Sequence, residues 1–422
     1  MGDSTVFSSP QIWWSNSIFF VSVHLAALIG MYWLPPTRIT WPTVALTYAM
    51  WQLAEFGITV GYHRLWSHRA FRATISIRFL LAILGSAGFQ GSIKWWCLRH
   101  RLHHRFTDDP IHDPYAATRG LLYSHMGWIF FKPTYTRMEL VDREDLDRDP
   151  VVRFQHKYYI PLALFFGFAV PPLIGALWND ALGAFVWAGL VSRLAVWHCT
   201  FFVNSLAHWD GLQPFSDENT SRGNLLLAIL TSGEGNHNFV REHHAFPHDY
   251  RSGPWITMWD PSKWVILLLH RFGYVSGLRQ ARKVDYEEAL AYMDHKRLHD
   301  IPPFHDKRDG SSKLADGCQY WTIEATISYV KEHPNQCVVL LNGWVVNVTA
   351  YLSEHPGGAS LLRRYAIHSE DNDADDRKWR DASWAFDGGL NNHSRAAVKR
   401  MKELVVAKIE PHAESDLTRS RD

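Results

Sequence analysis

Four long apolar runs alternate with polar breaks in the first half of the chain: Ile12–Leu34, Trp41–Gly61, Tyr158–Trp178 and Ala181–Phe202. Each reaches or approaches the ~20 residues that a helix needs to cross a ~30 Å hydrocarbon core, so the pattern predicts four transmembrane helices. A fifth run, Ile75–Phe89, is shorter and contains Arg78, Gly85 and Gly88. Its length predicts an interfacial or re-entrant helix. The breaks at Pro35–Thr40 and Asn179-Asp180 are short and hold a single basic residue, Arg38. The segment between the second and third runs is rich in Arg and Lys, including Arg64, Arg69, Arg72, Lys94, Arg99, Arg101 and Arg105. The positive-inside bias puts that segment and both termini in the cytosol, and the two short loops on the other side.

From about Asp249 the pattern reads as soluble. The apolar stretch in Trp255–Phe272 is too short to span and is expected to pack on the cytosolic domain or the membrane surface. Residues 301–317 are rich in Pro, Gly, Ser and charge and read as a linker, with a root-mean-square reach of roughly 20–25 Å if flexible. Residues 318–410 form a further domain, and 411–422 read as a disordered tail. The sections of chain are therefore 1–300, 301–317, 318–410 and 411–422. A formal charge of +1 without a basic run argues against nucleic-acid binding. Many of the 20 Trp, such as Trp13-Trp14, Trp33, Trp41 and Trp178, flank apolar runs, where amphipathic rings favour a membrane interface. Cys97, Cys199, Cys318 and Cys337 show no paired spacing, which fits a reduced or membrane setting. The polar Met1–Gln11 segment has no basic residue and does not read as a cleavable signal.

The chemistry lies in the histidines. His63-Arg-Leu-Trp-Ser-His68, His100-Arg-Leu-His103-His104, and His237 with His243-His244 each sit beside an apolar run. Spacings of three and four put His100, His103 and His104 on one helical face. His63 and His68, five apart, lie about 140° apart on a regular helix, which predicts that the helix ends between them. A lone histidine is more often a solvated or hydrogen-bonded side chain than a ligand, and His24, His112, His156, His198, His270, His295, His299 and His305 are read that way. Three clusters on one side of a membrane point instead to a multi-histidine centre for an iron-like metal. Cysteine is missing from the clusters, which argues against structural zinc.

These motifs, with Asn204-Ser-Leu-Ala-His208, Gly233-Glu-Gly-Asn-His237-Asn, Asp113-Pro114, Arg119-Gly120, Ser124-His125-Met-Gly-Trp128 and Phe246-Pro247-His-Asp-Tyr250, resemble the integral-membrane acyl-CoA Δ9 desaturases, or stearoyl-CoA desaturases, over about Trp41–Leu290. The resemblance implies that nine histidines hold two non-haem irons: His63, His68, His100, His103, His104, His208, His237, His243 and His244. It also implies that Asn204 reaches a metal through water. His208 enters the set through the resemblance, since it belongs to no cluster. The family pattern resembles His-Asn-Phe-His-His, whereas here Val240-Arg241-Glu242 intervene before His243. In a continuous helix His237 and His244 would be about 10.5 Å apart along the axis. A bulge, an altered ligand set or a gene-model error would account for the extra residues, with a bulge or an error preferred because Ala245-Phe-Pro still matches.

A second signature follows. Asn342-Gly343 between Val338–Leu341 and Trp344–Val346 is a type I′ hairpin signal. Thr349–Glu354 then leads into His355-Pro-Gly-Gly358, read as a helix ending in a glycine turn that lets backbone approach a flat ligand. With Asp381-Ala-Ser-Trp-Ala-Phe386, these residues resemble cytochrome b5 over most of Cys318–Ile409. The resemblance implies haem b with His355 as one axial ligand and His393 as the other. His368 is the alternative for the second place, because Ser369–Arg380 lengthens the separation with an acidic insertion. That run reads as a solvated loop and a candidate docking site for a basic reductase.

The expected architecture is a mainly α membrane protein: four transmembrane helices, a cytosolic helical histidine-rich diiron domain, and a small α+β cytochrome b5 domain. The resemblance implies a fungal-type stearoyl-CoA 9-desaturase of the endoplasmic reticulum, an oxidoreductase. It would take fatty acyl-CoA, O2 and electrons from NADH through cytochrome b5 reductase, in contact with membrane lipid. Arg119 is a candidate for binding the CoA phosphates. Alternatives are a hydroxylase, a desaturase of other position or lipid, and a non-catalytic metal transporter or electron carrier. Transport predicts ionisable residues within the spans, and those runs hold few.

Overall fold

A computed structural model describes residues 11–240, 249–253, 259–299, 318–352, 355, 358–368, 370–371, 376–388, 393 and 395–410. Among them, three helices are long and apolar enough to cross a membrane: α1 (Trp14–Trp33), Tyr159–Trp178 and Ala181–His208. The first two present large apolar side chains outward, among them Tyr32, Trp33, Leu173 and Leu177. Apolar surface on that scale is costly in water and is covered by a bilayer. The expected second span is helical too, as α2 (Trp41–Phe56) running on into Gly57–Ser67. It is less apolar than the other three, because it contains buried Glu55, Thr59, His63 and Arg64.

The two short breaks meet at one end of the bundle. Thr40 and Thr43 donate to Asp180 Oδ2 at 3.2 and 2.6 Å, and Trp178 Nε1 donates to Thr43 Oγ1 at 2.9 Å. Asp180 also caps the last apolar helix by accepting from Gly183 N at 3.1 Å. This places Pro35–Thr40 and Asn179-Asp180 on the same side, as the charge pattern predicts.

At the other end the chain folds back. α3 (Ile75–Ala87) returns along the Gly57–Ser67 segment, and a Cβ on Gly57 would lie 2.2 Å from the Gly85 backbone nitrogen. Only glycine at that crossing lets the two backbones touch. α4 (Ile93–Arg105) follows, capped by Ser92, which accepts from Trp95 N. The helix Pro261–Arg271 packs on this domain as expected, through buried Ile266. A two-stranded antiparallel ribbon, β1 (Arg72–Ala73) with β2 (Val275–Ser276), ties its far end to the return of α3.

Residues 318–410 form a four-stranded sheet in the order β3 (Gln319–Trp321), β6 (Val405–Ile409), β5 (Trp344–Asn347), β4 (Val338–Leu341). All four β4 residues are buried. Val338 and Leu340 join one core with Ile327 and Val330, and Val339 and Leu341 join another with Val346 and Ala382. A continuous apolar run covered on both faces is the result. Asn342 and Gly343 have φ of 50° and 77°, the left-handed pair of a type I′ turn.

Candidate metal centre

Backbone geometry explains how His63 and His68 come together. The helix ends between them, at Ser67, as expected, but its last stretch is not a regular α-helix. Gly57–Ser67 is π-helical, and His68 N donates to His63 O at 3.0 Å, closing an i to i+5 turn. A π-turn brings residues five apart onto one face, which a 3.6-residue helix cannot do. The His63 and His68 rings therefore meet, with centroids 4.5 Å apart.

Two groups of imidazoles form. In the first, the ligand atoms of His63, His68, His100 and His104 all lie within 4.8 Å of one another. His68 Nε2 is 3.0 Å from both His63 Nε2 and His100 Nε2, and His104 Nε2 is 3.0 Å from His100 Nε2. In the second, His103, His208 and His237 converge within the same limit. α4 thus splits its histidines: the i, i+4 pair His100 and His104 turns to one group, and His103 to the other. Since His63, His68, His100 and His104 form one group, α3 cannot separate its members across a membrane.

Each group is held from behind by oxygen acceptors. His63 Nδ1 is 3.1 Å from Glu234 Oε2, and His103 Nδ1 is 2.7 Å from Asp113 Oδ1. His208 Nδ1 is 2.8 Å from Thr220 Oγ1, which donates to Asp108 Oδ1 at 2.8 Å. An Nδ1 that donates to a carboxylate leaves its Nε2 as a lone pair. For His103, whose Nδ1 is hydrogen-bonded to Asp113, that leaves Nε2 as the candidate ligand atom. Several imidazole nitrogens crowded this way repel unless a cation lies among them, so the donor set fits a metal. Glu234 is itself fixed by buried Arg64, which also pairs with Asp260 at 3.0 Å. Trp96 stacks on His100 at 4.7 Å.

Glu234, Asp113 and the Asp108–Thr220 pair were not picked out from the sequence. The signal was present for two of them, since Glu234 lies inside Gly233-Glu-Gly-Asn and Asp113 precedes Pro114. Asn204 is buried in the last turn of its helix, four residues before His208. Arg119 is exposed, with its guanidinium carbon 3.5 Å from the Tyr123 ring centre. His243, His244 and residues Arg241-Glu242 of the insertion lie outside the described residues. Val240 closes the short helix His237–Val240.

In the C-terminal domain, His355 is buried and faces His393, with ring centroids 6.5 Å apart and planes 27° apart. Two metal–nitrogen bonds of about 2.0–2.1 Å, plus the distance from each nitrogen to its ring centre, come to about this span. His355 Nδ1 is 3.3 Å from Gly358 O, and His393 Nδ1 is 2.8 Å from Phe386 O. Burial lowers the His393 pKa, keeping its imidazole neutral. Gly358 has a φ of 88°, which supports the expected glycine turn. His368 is exposed.

Comparison with known proteins agrees with this arrangement. Residues 39–255 match the Fatty acid desaturase family, and residues 326–369 match the Cytochrome b5-like Heme/Steroid binding domain. Acyl-CoA desaturase 1 of Saccharomyces cerevisiae is 36% identical over 411 residues, covering 95% of this chain and 76% of that protein. A probable acyl-CoA desaturase of Schizosaccharomyces pombe is 34% identical over 97% of this chain and 81% of its own length. Human stearoyl-CoA desaturase 5 is 34% identical over 65% of this chain and 82% of its own. A histidine-caged metal centre on a bundle of apolar helices defines a membrane-bound metalloprotein. The chain belongs to the fatty acid desaturase family and carries a C-terminal cytochrome b5 domain. The cofactors that go with those two parts are a pair of non-haem irons and a haem.

Proposed function

We propose that this protein is an acyl-CoA Δ9 desaturase of the endoplasmic reticulum membrane, with both termini and the metal centre cytosolic. Residues 1–300 form the desaturase domain, 301–317 a linker, 318–410 the haem module and 411–422 a polar tail. The observation that carries the reading is the convergence of four and three imidazoles at one end of apolar helices, in a chain with an attached haem fold.

His63, His68, His100 and His104 would hold one iron. His103, His208 and His237 would hold the other, with Asn204 acting through water, and His243 and His244 complete the set. When bound, the irons supply the oxidising power that an unactivated methylene demands, using O2, two electrons and two protons and releasing two waters. Glu234, Asp113 and Thr220 fix which nitrogen of their histidines faces the metal, and so its basicity. Burial of the cluster keeps bulk water from the reacting carbons. His355 and His393 would fill both axial haem positions, an arrangement suited to electron transfer. Electrons come from NADH through a cytochrome b5 reductase. Arg119 lies exposed where it can meet the phosphates of fatty acyl-CoA, and membrane lipid surrounds the outward apolar faces.

Relatives carry both Δ9 and Δ11 names. Expression in cells that require unsaturated fatty acids, with gas chromatography of the products, decides the position. A cis-Δ9 acyl chain is expected. A hydroxylated product, or a double bond elsewhere, would overturn the assignment.

A further inference from the structure

The haem module and the metal domain touch at two places. On the exposed side, Arg282 Nη1 donates to Glu403 Oε2 at 2.8 Å, and Lys399 pairs with Glu288 and lies 3.6 Å from Asp285. Arg282 immediately precedes helix Lys283–His299, whose first two turns carry Asp285 and Glu288; Lys399 and Glu403 belong to helix Arg395–Glu403 of the module. On the inner side, the turn that follows His355 is pressed on the metal domain: a Cβ on Gly358 would lie 2.4 Å from the Asp142 side chain. Asp142 O in turn accepts from Arg101 Nη1 at 2.6 Å, and Arg101 follows His100 on α4. Arg105, next to His104, donates to Leu140 O at 3.2 Å.

We propose that the haem module docks in cis on the metal domain of its own chain through this charge-paired surface. Glu403 and Lys399 meet Arg282, Asp285 and Glu288, and set the His355 turn against the Asp142 segment that braces α4. The electron-transfer half of the inference rests on the functional reading above; the docking half does not. Half-exposed pairs of this kind are individually weak and screened by salt. A short tether needs no more, because it raises the local concentration of the module to the order of millimolar. Weak pairs also release readily. Release frees the haem turn, which the docked state covers with Asp142, to meet a reductase.

Zero-length carbodiimide cross-linking of the full chain in membranes tests this. At low salt a peptide joining Lys399 to Glu288 or Asp285 is expected, and high salt should remove it. In single-turnover experiments with acyl-CoA, Lys399→Glu should slow re-oxidation of the reduced haem by roughly two- to fivefold. Adding Glu288→Lys should restore the rate, since the pair is then reversed rather than lost. Absence of the cross-link at low salt, or a rate indifferent to both reversals, overturns the docking. The cross-link requires neither iron nor turnover. Its presence in a protein that desaturates nothing would uphold the docking while ending the functional reading, and its absence from an active desaturase would do the opposite.

Discussion

The two metal-binding regions solve the same problem, holding imidazoles still, by different means. In the metal domain seven described histidines come from α4, from the π-turn and from segments more than a hundred residues away, and acidic groups brace several of them in buried surroundings. In the haem module two histidines face each other, each braced by a backbone carbonyl of its own neighbourhood. A carboxylate behind an imidazole raises its basicity and suits a metal whose charge changes during chemistry; a carbonyl orients the ring with less charge. The difference separates a centre built to react from one built to relay.

Removing one ligand from either region should break the comparison most sharply. His100→Ala is expected to abolish desaturation and lower non-haem iron while the haem absorption spectrum stays intact. His355→Ala should do the reverse, losing the haem spectrum and keeping the iron. Metal analysis and spectroscopy on the purified chains read both. Desaturation retained in His100→Ala would defeat the assignment of that cluster.

The bracing groups come next. Asp113→Asn keeps the shape but weakens the acceptor behind His103, and should lower metal affinity 10- to 100-fold by competition with a chelator. Asp113 lies outside the haem module, so the same substitution should leave haem retention unchanged. A third effect is confined to the module. Gly343→Ala puts a side chain at a φ of 77° and should cost about 1–2 kcal/mol. A haem-reporting melt would fall by several degrees, about 4–8 °C per kcal/mol for a domain of this size.

The regions also differ in how far they could be read from sequence. The haem module is largely local: Asn342-Gly343 declares its turn, and His355-Pro-Gly-Gly declares its ligand loop. The metal domain is not. Spacing of five between His63 and His68 predicts a helix end, and the helix does end at Ser67; the π form of its last turns was not legible, since packing of Gly57 on Gly85 lies beyond any local propensity. Glu234 and Asp113 are ordinary acids until the fold sets them behind histidines. His24 and His198, read as solvated or hydrogen-bonded side chains, are hydrogen-bonded to each other at 3.1 Å, and His198 to His125 at 3.0 Å; only the partners were not legible. The apolar runs were legible because hydrophobicity is additive along a helix. Even there, the second run is mixed because its far end, Gly57–Ser67, builds the site.

The smallest expected effect concerns the seam between the regions. Hydrogen bonding from Arg282, then from Arg400, holds the Glu403 carboxylate down to about 2, from an ordinary value of 4.5, while Arg282 is itself shifted upward. Both shifts say that the charged pair is favoured. A carboxylate with a depressed pKa contributes above its undocked value and loses that contribution as pH falls through its docked value. The Lys399–Glu288 cross-link yield, divided by that of an unstructured Lys/Glu peptide pair coupled at the same pH, should therefore be flat from neutral pH down to about pH 5, and fall only below 4.5. Glu403→Gln removes the Arg282 attraction at every pH, so the variant should show a uniformly lower yield and no added loss from this residue in acid. A normalised yield that falls already between pH 7 and 5 in the parent chain would mean that Glu403 does not govern the seam.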